Sequence, residues 1–176
     1  PSSVTITASE NGIMTTLTDL ARNAAPRNVA ADIGKLFGEA IAKKIDTDLT
    51  ALFDGFSTSV GGAGTEVTVD TLFKASATLR QSAVPSGYSC VLNPKVAYNV
   101  KKALTNTFVN PNPNDLTNEA LRTGYIGNIG GARIFETSNV DGTTDTDSCK
   151  GGMFHQDALG LAMMQDLKIE TQRDAS

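Results

Sequence analysis

The segment GYIGNIGGARIF has the glycine spacing that most resembles a nucleotide-binding loop, with glycines at Gly124, Gly127, Gly130 and Gly131. A dinucleotide-binding fingerprint has the spacing G-x-G-x-x-G, follows a strand and opens a helix, whereas a phosphate-binding loop ends in Gly-Lys-Ser/Thr. This segment has neither pattern, and the residues after its glycines are typical of a strand. We therefore predict that no nucleotide cofactor binds here. The four glycines instead favour a turn, where they permit positive φ and close approach of two backbones.

His155 is the only histidine in the sequence, so any Ser–His or Cys–His hydrolytic site would have to use it as the general base. Asp157 lies two residues further on, but two neighbours on a strand do not make a nucleophile site, and no G-x-S-x-G elbow is present. We expect His155 to be a half-exposed polar residue at the end of a strand. A small hydrolase is the least favoured alternative, and the sequence predicts a protein that is not an enzyme.

The two cysteines, Cys90 and Cys149, match neither a zinc nor a redox spacing. Cys90 lies in the apolar run YSCVL and is expected to be a small buried hydrophobic residue. Cys149 follows an acidic, threonine-rich stretch and is expected on an exposed loop. With one histidine and no paired thiols, the sequence predicts no transition-metal site. A disulfide between the two cysteines stays open, although a reduced cytoplasmic setting is the simpler assumption.

Composition and charge indicate a globular protein with little affinity for nucleic acid. The 176 residues are 40% hydrophobic and 19% charged, which is ordinary for a folded domain. Net charge is −4, and no cluster of Lys and Arg is present to neutralise phosphates, so any contact with DNA should be weak. No apolar run approaches the roughly 20 residues that span a bilayer, and we predict no membrane contact.

The strongest element in the sequence is a long amphipathic helix over about residues 29–56. Apolar residues recur there every three or four positions, which is the spacing of one helix face. Such a helix would have about seven turns and measure roughly 40 Å at 1.5 Å per residue. The residues expected to form its buried face are Ile33, Phe37, Ile41, Ile45, Leu49 and Leu52.

The rest of the sequence predicts shorter helices and strands. Thr68 can cap a helix that ends before Pro85, YSCVL predicts a buried strand, and Asn93-Pro94 starts another helix. ARIFETSNV predicts a strand, and two further strands are predicted at residues 3–9 and 167–173 because their side chains alternate. Met163 and Met164 are expected to fill the core. A long helix beside antiparallel-looking strands predicts an α+β fold.

Four segments in a fixed order resemble tailed-bacteriophage major capsid proteins of the Hong Kong 97 type. They are the long helix, LNPKVAYNVKKAL, YIGNIGGARIFETSNV and HQDALGLAMMQDLKIETQRD. The resemblance implies an α+β capsid fold in which the long helix is the spine helix of a peripheral domain, beside a mixed α/β axial domain. On this basis residues 1–60 belong to the peripheral domain, 61–148 to the axial domain, and 149–176 to strands that return to the peripheral domain.

The same resemblance implies a function. The chain would be a structural subunit of an icosahedral capsid, self-assembling into hexamers and pentamers around double-stranded DNA. Its partners would be further copies of itself and scaffolding, portal or decoration proteins, and it would assemble in the host cytoplasm and end in the virion. Family members usually have an N-terminal arm, an extended loop and a further C-terminal strand, so we expect a core fragment or trimmed chain. An encapsulin-like compartment shell stays open as the alternative.

Overall fold

The computed structural model describes residues 5–24, 28–62, 65–107, 127–140, 150–165 and 167–172. The described helices are α1 (Asp19–Ala24), α2 (Val29–Ala51), α3 (Val69–Gln81) and α4 (Pro94–Thr107), with short 3-10 turns at Leu52–Gly55 and Gln156–Ala158. The described strands are β1 (Tyr88–Leu92), β2 (Asn128–Ile129), β3 (Ala132–Glu136) and β4 (Gly151–His155).

Helix α2 is the longest element, with 23 residues and a length of about 35 Å. Asn28 caps it by accepting a hydrogen bond from the backbone N–H of Ala31 at 3.4 Å. The helix ends at Ala51, before the predicted end near residue 56, because the chain tightens into a 3-10 turn and is extended at Phe56. The predicted buried face is half-buried at its first five positions, and Leu52, at the start of the turn, is exposed.

The four strands form one sheet in the order β2-β3-β1-β4. β1 is parallel to β3 and antiparallel to β4, and β2 is antiparallel to β3. The expectation of antiparallel strands alone is therefore wrong for the central pair. Parallel strands need a crossover between them, and α4 forms part of that crossover.

One face of the sheet packs against α3 and α4 and forms the core. Because side chains alternate along a strand, Tyr88, Cys90 and Leu92 point to the same face and are all buried. The buried cluster consists of Leu72, Tyr88, Cys90, Leu92, Val96, Ala97, Val100, Ile129, Ala132 and Ile134. The predicted strand YSCVL and the helices that follow Thr68 and Asn93 are confirmed.

Three expectations about the ends of the chain are wrong for the residues that the structure describes. Residues 5–9 and 167–172 have no strand, since alternation supplies a strand's two faces but not the neighbour that completes its hydrogen bonds. Met163 and Met164 are exposed, because they lie beyond β4 in a segment that forms no strand of the sheet. Residues 3, 4 and 173 lie outside the described residues, as does the acidic stretch with Cys149.

Candidate interaction surfaces

A polar contact joins the C-terminal half of α2 to the chain that follows β3. Thr50 Oγ1 donates a hydrogen bond to the carbonyl oxygen of Asn139 at 3.0 Å. Asn139 Nδ2 in turn donates to Asp46 Oδ2 at 2.5 Å, and Thr137 Oγ1 lies 3.4 Å from the same oxygen. Thr50 is buried and the other three residues are no more than half-buried. These bonds fix the long helix relative to the sheet.

An aromatic cluster closes the second face of the sheet at β4. The ring of Phe53 lies 5.4 Å from that of Phe56 and 5.5 Å from that of Phe154, measured between ring centroids. Gly152 lies two residues before Phe154 on the same strand and packs against Phe53. A Cβ at residue 152 would stand 2.9 Å from the Phe53 ring. The end of α2 therefore covers β4, while the outward side chains of β1 and β3 stay half-exposed or exposed.

A cleft of about 430 Å³ lies between α2 and the chain after β3. Its lining residues are Lys43, Thr47, Thr50, Ala51, Phe53, Asp54, Ser138, Asn139, Val140 and Lys150. Lys150 Nζ and Asp54 Oδ1 form an ion pair across it at 2.7 Å. Among the described residues no buried polar side-chain atom lacks a hydrogen-bond partner, so the cleft offers no buried group that a ligand would have to satisfy.

The glycine turn lies between β2 and β3 and packs on α3. Gly127, Gly130 and Gly131 have positive φ, at 71°, 62° and 84°. Arg80 Nη2 donates a hydrogen bond to the carbonyl oxygen of Gly130 at 3.2 Å, and a Cβ at residue 130 would stand 3.1 Å from Ser76 Oγ. The backbone of this turn thus approaches the helix closely. Gly124 lies outside the described residues.

Of the residues that could do chemistry, the structure brings His155 and Asp157 together and buries Cys90 in the core. His155 Nδ1, at the end of β4, lies 3.1 Å from Asp157 Oδ2, and the Asp157 carboxylate is largely exposed. Cys90 is 1% exposed, and burial raises the pKa of its thiol to about 12, which keeps it from acting as a thiolate nucleophile. Across the described ranges, no three His, Cys, Asp or Glu side chains are grouped so as to hold a metal ion.

The largest unexplained feature is exposed apolar surface. Large hydrophobic side chains are exposed along residues 6–20, along residues 161–169 and on the helices and sheet, for example Phe73, Tyr98 and Phe135. Monomeric proteins rarely expose large contiguous apolar patches, so these side chains are candidates for contacts with partners.

The mixed helices and sheet make this an α+β fold. A family model described as phage capsid protein matches residues 2–175, which is nearly the entire sequence. The chain therefore belongs to the phage capsid protein family, a family of structural proteins.

A solved structure from Mycobacterium phage Che8 resembles this fold. The match has a TM-score of 0.60 and 25% sequence identity, and it covers 79% of this chain and 50% of that chain. This chain thus spans half the length of its structural neighbour. No curated protein matches the sequence. The predicted relation to phage capsid proteins and the α+β capsid fold are confirmed by these two matches.

Among the helices that the structure describes, none combines the length and the hydropathy needed to cross a membrane.

The contacts that anchor α2 were not found from the sequence. Asp46 and Asn139 are 93 positions apart, and Phe53 and Phe154 are 101 positions apart, so no local periodicity links them. The only local signal was the phenylalanine spacing at residues 53 and 56, which continues the helical pattern but belongs to the turn that ends the helix.

Proposed function

We propose that this chain is a subunit of an icosahedral phage capsid and that it self-assembles into hexamers and pentamers enclosing double-stranded DNA. The observation that carries the proposal is the family match over residues 2–175, together with an apolar surface that a single copy leaves uncovered. Assembly in the host cytoplasm, and binding to scaffolding, portal or decoration proteins, are further proposals that rest on the resemblance alone.

The distribution of exposed apolar side chains supports several contacts per subunit. Large hydrophobic side chains are exposed on α3 at Phe73, on α4 at Tyr98 and on β3 at Phe135. These residues lie on three different elements, so the exposed apolar side chains are not confined to one helix or strand. A subunit in a closed shell has neighbours on several sides, whereas a simple dimer has one.

The long helix offers the most continuous of these surfaces. Ile33, Phe37, Ile41, Ile45 and Leu49 lie four residues apart along one face, and each is only half-buried in the single chain. Two glycines beside this row, Gly34 and Gly38, have nothing within 4 Å of where a Cβ would stand. A neighbour that covered this face would gain about 25 cal/mol for each Å² of apolar surface removed from water.

The structure also bears on how the proposed lobes divide. We propose that α2 belongs to the peripheral domain and that α3, α4 and the sheet belong to the axial domain. β4 is part of that sheet, since residues 151–155 pair with β1 along its whole length. In this proposal the return to the peripheral domain starts after His155 and not at residue 149.

Net charge supports weak contact with the packaged genome. At −4, the chain repels polyphosphate more than it attracts it, and a shell that bound DNA tightly would hinder its release. The charge is equally suited to an encapsulin-like shell around an enzyme. Gene order separates these: neighbouring portal, protease and terminase genes indicate a phage, and a neighbouring cargo enzyme indicates a compartment.

The test is electron microscopy of the complete gene product, with sedimentation velocity on the same samples. We expect closed particles with six-fold and five-fold units. Ile41→Asp places a charge on the half-buried face of α2 and should prevent particle formation, while Ala40→Asp, one position along on the exposed face, should not. Circular dichroism checks that both variants fold. Folded wild-type protein that stays monomeric at high concentration would contradict the proposal.

A further inference from the structure

β4 is an edge strand of the sheet, and no described strand pairs with its outer side. It pairs with β1 alone, at the end of the sheet order. The backbone N–H of Asn93 donates to the carbonyl oxygen of Lys150 at 3.4 Å. This bond shows that the backbone N–H and C=O groups of residues 150, 152 and 154 point towards β1. The N–H and C=O groups of Gly151 and Met153 and the N–H of His155 therefore point outward, whereas the C=O of His155 belongs to the 3-10 turn at Gln156–Ala158. No described strand pairs with these outward groups.

β4 itself has none of the sequence features that keep an edge strand from pairing. Proteins protect such edges with Pro, Lys, a bulge or a very short strand. The sequence of β4 is GGMFH, without Pro or Lys, and its five residues pair with β1 in unbroken register. An open and regular edge of this length is a template for another strand.

Residues 167–172, with the sequence LKIETQ, have the pattern of a strand but no strand beside them. Leu167 and Ile169 are 56% and 65% exposed, and they alternate with Lys168 and Glu170. Lys168 Nζ and Glu170 Oε1 pair at 2.5 Å, which places these two side chains on one side of the backbone as in an extended strand. Residues 167–172 form no strand, so this segment does not pair with the edge of its own β4.

We propose that residues 167–172 of one copy add as a strand to the outer edge of β4 in a second copy. The six residues are long enough to span the five of β4, and pairing would satisfy the outward N–H groups of Gly151, Met153 and His155 and the outward C=O groups of Gly151 and Met153. The donor segment and the acceptor edge are different parts of the chain, so the contact is heterologous and closes into a ring where the rotation between copies permits. The proposal rests on the self-assembly proposed above and specifies one of its contacts.

Amide hydrogen exchange gives the test, because only alternate residues of β4 change partners. Assembled and unassembled protein are exchanged in D2O, then dissociated, and the amides of residues 151–155 are resolved by fragmentation mass spectrometry. In the unassembled protein, Gly152 and Phe154 should be protected, while Gly151, Met153 and His155 exchange freely. In the assembly, the latter three should slow by at least about tenfold. Equal exchange of those three amides in both states would overturn the proposal.

Matched proline variants identify the donor. Ile169→Pro removes a backbone N–H from the donor segment, whereas Met164→Pro alters an exposed position just outside it. Both should leave the melting temperature of the unassembled protein unchanged. Ile169→Pro should remove the slowing at Gly151, Met153 and His155, and Met164→Pro should retain it. If wild-type protein assembles with these amides unprotected, or if Ile169→Pro keeps their protection, this contact is wrong while the capsid function stands. If Ile169→Pro fails to assemble while wild type and Met164→Pro both assemble, the donor segment is needed for assembly.

Discussion

Gly152 lies so close to the ring of Phe53 that a Cβ at residue 152 would stand 2.9 Å from two of the ring carbons. The end of α2 therefore packs against β4 at residue 152, where only glycine leaves room for the Phe53 ring. Because Phe53 also contacts Phe56 and Phe154, movement of this one ring would disturb the whole aromatic cluster. The contact couples the position of the long helix to the strand whose outer edge we propose as an acceptor.

Substitution at Gly152 should thus destabilise the fold. We expect Gly152→Ala to lower the free energy of unfolding by about 1–3 kcal/mol, since the added methyl group overpacks the site against Phe53. Gly38→Ala is the matched control: it lies within α2 with nothing within 4 Å of the new Cβ, and it should raise stability by about 0.5–1 kcal/mol. Urea denaturation of the two variants checks this, and a Gly152→Ala as stable as Gly38→Ala would contradict it.

The polar contact between α2 and the chain after β3 gives a second prediction. Asn139→Ala removes the amide that donates to Asp46 and should cost about 1–2 kcal/mol of unfolding free energy, because a half-buried carboxylate loses a partner. Asp48→Asn, which removes only an exposed ion pair with Lys44, should cost about 0.3–0.5 kcal/mol. Thermal or urea unfolding measures both. Equal losses for the two variants would show that the Asn139 contact adds nothing beyond a surface pair.

Local signals in the sequence predicted local elements well. Thr68 marked the start of α3, where its backbone N–H donates to Thr71 Oγ1 at 3.3 Å, and Asn93 marked the start of α4, where its Oδ1 accepts from the N–H of Lys95 at 3.0 Å. These caps depend only on residues two or three positions away, so the sequence alone determines them.

Contacts between distant segments could not be predicted in the same way. The parallel pairing of β1 with β3 places Cys90 beside Ile134, and nothing in either strand specifies the direction of its neighbour. Residues 167–172 have the alternation of a strand, yet a strand exists only when a second backbone completes its hydrogen bonds. The half-buried face of α2 likewise has the spacing of a core helix, because a helix that is buried by another copy has the same pattern as one buried in its own chain.

The glycine turn gives a third prediction. Gly130 combines a φ of 62° with close approach to Ser76 Oγ, so a side chain there is strained by both backbone and contact. We expect Gly130→Val to lower stability by more than about 2 kcal/mol, or to prevent folding, without any effect on nucleotide binding. Gly130→Ala provides a milder variant that should still fold at lower stability. A Gly130→Val protein with wild-type stability in urea would contradict the packing of this turn on α3.

The buried thiol of Cys90 gives a prediction about alkaline pH. Burial raises its pKa from 9.0 to about 12, so between these values the unfolded chain loses the thiol proton while the folded chain keeps it. Ionisation then favours the unfolded state, and the stability that is fully present below pH 9 is lost as the pH rises towards 12. At about pH 10 the loss from this one group should be about 1.4 kcal/mol relative to about pH 8.

The measurement is urea unfolding of wild type and Cys90→Ala at both pH values, because other groups also titrate in this range. The variant is less stable throughout, since it leaves a small cavity in the core, but its stability should fall by about 1.4 kcal/mol less than that of the wild type between the two pH values. The comparison of slopes separates ionisation from packing. If the two proteins lose the same free energy, then the Cys90 thiol is not shielded from water, and the core between the sheet and α4 is looser than the burial of Cys90 implies.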